Sequence, residues 1–177
     1  NPISKILATQ ALSLLGANIE LAVTDGTNIK ARGAMLLGSM LAGMAFANSP
    51  VAAVHALAYP IGGTFHVPHG LSNALVLPHV LRFNAPKAAQ EYAELAPFIF
   101  PDIDTTQSSQ EVCAEFIERM ATLSATVGLQ QKLREVGITA DDLPAMASDA
   151  MQQTRLLVNN PRKITEQDAL AIYQAAW

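Results

Sequence analysis

The chain has 177 residues, half of them hydrophobic, and a formal net charge of −4. That length can bury a substantial core in a single domain, and its eleven Lys and Arg are scattered without a basic stripe, which argues against nucleic acid as a partner. Cys113 is the only cysteine, so an intrachain disulfide and a CxxC-type metal knuckle are both excluded, and a reducing, cytoplasmic setting is expected.

The N-terminus has no basic segment followed by an apolar run, so no signal peptide is expected. Asn1-Pro2 is not an ordinary start and the helix pattern begins at once, which reads as a fragment. Pro2 suits a first helical position, and Ile3, Ile6, Leu7, Ala11, Leu14, Leu15 and Ala22 keep helical spacing to about Val23. Asp25-Gly26 stops that helix, and Thr27 is the expected N-cap of the next.

The second predicted helix runs to about Ala47 and is apolar on nearly every face, with Met35, Leu36, Leu37, Met40, Leu41, Met44 and Phe46. A helix of that kind belongs in the middle of a bundle. Its uncharged stretch, Gly33 to Ala47, is too short to span a bilayer, so no membrane partner is expected. Gly33, Gly38 and Gly43 each cost roughly 1 kcal/mol of helix propensity relative to Ala, and close approach of neighbouring helices is the expected return.

Ser49, with Pro50 after it, predicts the start of a third helix running to about Tyr59, and Pro60, Gly62, Gly63 and Pro68 predict a loop. A fourth helix is expected from His69-Gly70 to about Phe83, with Pro78 bending it or ending its first part. A fifth is expected over Asn84 to Ala96, and Pro97 to Ser108 reads as a polar connection. Ser109 to Thr126 is amphipathic, with Val112, Phe116, Ile117, Met120 and Leu123 inward and Glu111, Glu115, Glu118 and Arg119 outward. Gly128 to Glu135 predicts a short helix closed by Gly137, and the Thr139–Asp142 spacing predicts a capping box opening a helix to about Gln153. Thr165 caps the last helix. With no alternating strand pattern, the expected fold is an all-α multi-helix bundle, one domain over residues 1–177.

Three of the four histidines, His55, His66 and His69, lie within fifteen residues, with His79 ten beyond. His55 and Tyr59 are four apart and share a helix face. A Pro/Gly loop can fold His69 back opposite His55, and two imidazoles converging from separate elements are a common beginning of a transition-metal site. A lone His on an apolar helix is more often a hydrogen-bonded core residue. His66 and His79 are read that way, His79 as tied to a backbone carbonyl. No carboxylate occurs between Asp25 and Glu91, so this window supplies at most half of a ligand set.

Four segments then carry a family resemblance. Ala42-Gly43-Met44-Ala45-Phe46-Ala47-Asn48, His55-Ala56-Leu57-Ala58-Tyr59-Pro60-Ile61-Gly62-Gly63, Pro68-His69-Gly70-Leu71-Ser72-Asn73-Ala74 and Leu77-Pro78-His79-Val80 resemble the iron-containing (group III) alcohol dehydrogenases. Asn160-Pro161-Arg162, followed by Thr165 and a final helix, is similar to that family's C-terminus, so the resemblance spans essentially the whole chain.

The resemblance implies the C-terminal helical domain of a two-domain enzyme, with an N-terminal dinucleotide-binding domain not contained in this sequence. It implies a divalent ion, Fe2+ in the first place with Zn2+ as the alternative, held by an Asp and three His. His55 and His69 match two of those ligands, and the other two would lie on a helix ending just before Asn1. NAD or NADP would be bound mainly by the N-terminal domain. Many members carry a second His four residues after the first ligand, where it helps relay a proton. Tyr59 stands there in this chain and is the candidate catalytic side chain, while Phe46 and Leu156 match positions near the substrate channel. The implied reaction interconverts a small primary alcohol or diol and its aldehyde in a homo-oligomeric enzyme of which this chain alone is an inactive part. The competing readings are a hydroxyacid–oxoacid transhydrogenase or maleylacetate reductase of the same fold, and a stand-alone helical metal-binding or scaffold protein.

Overall fold

The structure, a computed structural model, describes residues 1–177. It is all-α, as expected, with no strand and eight α-helices: α1 (Pro2–Thr24), α2 (Ile29–Asn48), α3 (Ala53–Phe65), α4 (His69–Ile99), α5 (Ser109–Thr126), α6 (Leu143–Ala150), α7 (Thr154–Leu157) and α8 (Glu166–Ala176). The chain forms two compact units, Asn1–Pro50 with Ala89–Phe116, and Val51–Ala88 with Ile117–Trp177. Helices α4 and α5 contribute to both.

In the first unit α1 and α2 form a hairpin. The Asn1 side chain accepts from the Ser4 N–H (3.0 Å) with Pro2 in the first turn. Asn28, not Thr27, caps α2 by accepting from the Ala31 N–H. Thr27 is already committed, because its N–H and hydroxyl both donate to the Asp25 carboxylate (3.1 and 2.7 Å). Only Ala31, Gly38 and Ala45 of α2 are buried, three small residues seven apart. Gly38 is where α1 comes close, since a Cβ there would lie 2.9 Å from the Leu15 side chain. Gly33 and Gly43 have no such neighbour, so the expected close approach holds at one of the three glycines. Gly16 supplies a second one, with Ile99 backbone 2.9 Å from where its Cβ would stand.

The apolar α2 is therefore not a bundle's central helix within this chain. Leu36 is 76% exposed, and Met40, Met44 and Phe46 are exposed with it. The reason is geometric: α1 is its one extensive neighbour, and a helix in a hairpin buries a single stripe. Helix α1 is also long and apolar enough to cross a membrane by length and composition, which the measure of uncharged runs missed because Lys5 and Glu20 lie within it. The unit's interior is completed by Ala96, Ile99, Val112, Cys113 and Phe116, with Tyr92 and Phe100 rings about Phe116.

The second unit holds one continuous core that includes Leu57, Ile61, Leu75, Val76, Val80, Leu133, Leu143, Ala147, Ile172 and Tyr173. Two prolines predicted to break helices lie inside them. Helix α3 continues through Pro60, Gly62 and Gly63 to Phe65, and α4 runs unbroken through Pro78, Pro86 and Pro97. A proline removes the hydrogen bond to the carbonyl four residues back. In two cases a distant side chain donates to the carbonyl three residues back. The Tyr173 hydroxyl bonds the Leu57 carbonyl (2.6 Å) ahead of Pro60, and Arg162 Nη1 bonds the Phe83 carbonyl (3.0 Å) ahead of Pro86. Asn84 and Asn160 add a reciprocal amide pair beside the second (3.1 and 2.7 Å).

Other boundaries moved as well. Ser49 ends α2 instead of capping α3, whose first turn follows Ala52 without a side-chain cap. The helix expected over Gly128 to Glu135 is a single 3-10 turn, Leu133–Val136, closed by Gly137 at φ 85°. The Thr139–Asp142 box forms as expected (2.8 and 2.6 Å) but around a 3-10 turn ahead of α6. Thr165 caps α8 with Asp168.

Candidate metal centre

His55 lies in the first turn of α3, and His69 is the first residue of α4. The connection between the helices is only His66–Pro68, far shorter than the Pro/Gly loop expected from sequence. His66 makes the reversal by adopting the left-handed region (φ 57°) as the α3 C-cap, where its N–H donates to the Gly62 carbonyl (3.1 Å). Ser72, fully buried, fixes the returning chain: its hydroxyl lies 3.1 Å from both the Val67 and Pro68 carbonyls. The hairpin that presents His69 to His55 is thus held by hydrogen bonds of its own.

The two imidazoles meet, with ring centroids 5.3 Å apart and planes inclined by 52°. Two imidazoles sharing a tetrahedral cation at about 2.1 Å per nitrogen place their centroids about 5 Å apart, so this pair has the separation such an ion needs. Burial and the neighbouring His69 lower the pKa of His55, which favours its neutral form, and neutral imidazole is the form that binds metal. No third His, Cys, Asp or Glu joins the pair, so these two side chains could make up at most half of a four-ligand set. The residues present fit a divalent transition ion.

Tyr59 follows His55 by one turn of α3 and is 37% exposed. Leu156, by contrast, is buried at 7% within the second unit's core, and Phe46 is 57% exposed in the first unit, where it lines a cavity of about 490 Å3 with Lys5, Ala42 and Glu94. His66 is spent on the turn. His79 forms no hydrogen bond to a carbonyl, contrary to expectation. It lines a cavity of about 190 Å3 with Arg82, Phe83 and Asp168, and burial, with help from the Arg82 and Lys132 charges, depresses its pKa to about 4.

Sequence reasoning passed over Asn73, one turn after His69. Its amide nitrogen donates to the His69 carbonyl (2.9 Å) and lies 3.1 Å from His69 Nε2. Its amide oxygen is buried without a hydrogen-bond partner, which costs about 1–3 kcal/mol. The four-residue spacing from His69 was the signal that could have found it.

The chain matches the family model described as Fe-containing alcohol dehydrogenase family, C-terminal, over residues 1–177. It is 38% identical to the 1,3-propanediol dehydrogenase of Citrobacter freundii over its full length, which is 45% of that protein. Its fold matches the crystal structure of a 1,3-propanediol oxidoreductase with a TM-score of 0.95 at 37% identity, covering 100% of this chain and 46% of that one. An alcohol dehydrogenase from Oenococcus oeni gives 0.94 at 34% identity, with 100% and 46% covered. The chain therefore spans about half the length of the relatives it matches, and all its helices, α1 included, have counterparts in those enzymes.

Proposed function

The chain belongs to the iron-containing alcohol dehydrogenase family, and from that membership we propose that it is the metal-holding C-terminal part of an NAD(P)-linked dehydrogenase acting on small primary alcohols or diols. The observation that carries this reading is the His55–His69 pair facing each other at 5.3 Å across a hairpin three residues long.

In this reading His55 and His69 hold a divalent ion, iron in the first place or zinc, together with an Asp and a His from the part of the enzyme that precedes this sequence. When bound, such an ion supplies a Lewis acid that lowers the pKa of an alcohol hydroxyl. The overall reaction moves a hydride from the carbinol carbon to the nicotinamide, positioned by an N-terminal domain, and releases one proton. Burial shifts His55 toward its uncharged form, the form whose lone pair binds an ion. In the same reading Tyr59, whose phenol both donates and accepts, passes the hydroxyl proton toward solvent, and its exposure one turn from His55 supports that role. Small diols are favoured because two relatives, at 37–38% identity, are 1,3-propanediol dehydrogenases.

The test is a full-length assay with short alcohols and 1,3-diols, with each nicotinamide and with iron or zinc added. Diol-dependent reduction of NAD or NADP that is lost on chelation is the expected outcome. No nicotinamide reduction with any alcohol, at full metal occupancy, contradicts the reading.

A further inference from the structure

His55 stands in the first turn of α3, and the ends of a helix are where it frays. Nothing local secures that end, since Ala52 takes the N-cap position without a side-chain hydrogen bond. Pro60, inside the same helix, removes one more main-chain donor. A ligand carried on such a turn is placed only as well as the turn is held.

Two side chains from the C-terminal segment reach it. Asn159 Nδ2 donates to the Val51 carbonyl (3.1 Å), 108 residues away in sequence, and to the Arg155 carbonyl (3.1 Å), which fixes the amide at its own end. The hydroxyl of Tyr173, fully buried in α8, donates to the Leu57 carbonyl (2.6 Å), 116 residues away. One bond lands before His55 in the chain and the other after it, so the turn is gripped on both sides of the imidazole. Both bonds end on main-chain oxygens. They fix where α3 lies and involve no ring nitrogen of the pair.

We propose that Asn159 and Tyr173 are positioning residues for His55, two donors that hold the start of α3 so that its imidazole stays opposite His69 at the separation a shared divalent cation needs. This rests on the reading of His55 and His69 as a metal pair. Without either bond α3 samples arrangements that do not bind the ion, and the apparent affinity falls with the fraction that does. Ion and bonds favour the same arrangement. A variant that weakens binding therefore also shrinks the rise in thermal midpoint that the metal brings.

The experiment measures cobalt(II) in the full-length protein by chelator competition and visible spectrum, with thermal midpoints taken metal-free and metal-loaded. The variants are Tyr173→Phe, Asn159→Ala, the two combined, Trp177→Phe, His55→Ala and His69→Ala. Trp177 is the control, because its indole N–H donates to the Ile138 carbonyl (3.0 Å), a bond of the same kind that does not reach α3. Each single positioning variant should lose roughly 2- to 10-fold in affinity, the contribution of one hydrogen bond, and the combined variant more. The metal-induced rise in midpoint should shrink in the same order. Trp177→Phe should lower the metal-free and metal-loaded midpoints together, at wild-type affinity. Should Tyr173→Phe fail to fold, Asn159→Ala, at an exposed side chain, decides alone. Wild-type affinity and spectrum in the positioning variants, with metal lost in His55→Ala, overturns the proposal and leaves the pair intact. An equal loss of affinity in Trp177→Phe marks a general effect of stability and overturns it too. Metal retained by His55→Ala and His69→Ala sinks the pair itself, and this proposal with it.

Discussion

The α1–α2 hairpin and the second unit are both rich in apolar residues, yet they use them in opposite ways. In the second unit Leu57, Leu75, Val76 and Tyr173 are inaccessible and touch one another in a closed core. In the hairpin, ten large hydrophobic residues from Ile3 to Phe46 are exposed, and α2 buries only Ala31, Gly38 and Ala45. Composition decides how much apolar surface a helix carries. Which neighbours it has decides how much of that surface is covered.

That contrast predicts a graded response to substitution. Leu57→Ala should destabilise by about 2–5 kcal/mol, because it opens a cavity in a closed core, as read by chemical denaturation. A loss under 1 kcal/mol would mean the second unit's core is looser than its packing indicates.

The next effect depends on pH. His79 is held neutral in the fold, with its pKa depressed from 6.5 to about 4, so between those values the unfolded chain binds the extra proton. Its contribution is fully present above pH 6.5 and is lost as the pH falls toward 4. His79→Gln should flatten that part of the stability-against-pH curve. An unchanged slope contradicts the assignment.

The smallest effect belongs to the hairpin. Leu36→Ser, at a site 76% exposed, should shift stability by less than about 0.5 kcal/mol. A loss comparable to that of Leu57→Ala would show that the hairpin's outer face is covered in the protein as tested, and would erase the contrast.

Much of this was legible in the sequence, and the failures have a common cause. Local signals succeeded: Ser109 to Thr126 was read to the residue from its amphipathic pattern, the Thr139–Asp142 box formed where its spacing put it, and Thr165 caps the last helix. The breaks expected at Pro60 and Pro78 do not occur, and beside Pro60 and Pro86 the Tyr173 hydroxyl and the Arg162 guanidinium donate to the Leu57 and Phe83 carbonyls from far along the chain, information no local window contains. Burial of α2 failed for the same reason in reverse, since its apolar faces say nothing of who lies beside them. At the site, the convergence of His55 and His69 was legible from the motif spacing. The His66 turn, a matter of backbone geometry, was not, and the Asn73 amide was passed over although its four-residue spacing from His69 pointed to it.

Bound metal, measured in full-length wild type, His55→Ala and His69→Ala, tests the central claim most directly. The account predicts a divalent ion in the wild type that either substitution removes, with helical content unchanged. Metal at wild-type stoichiometry in both variants would contradict it.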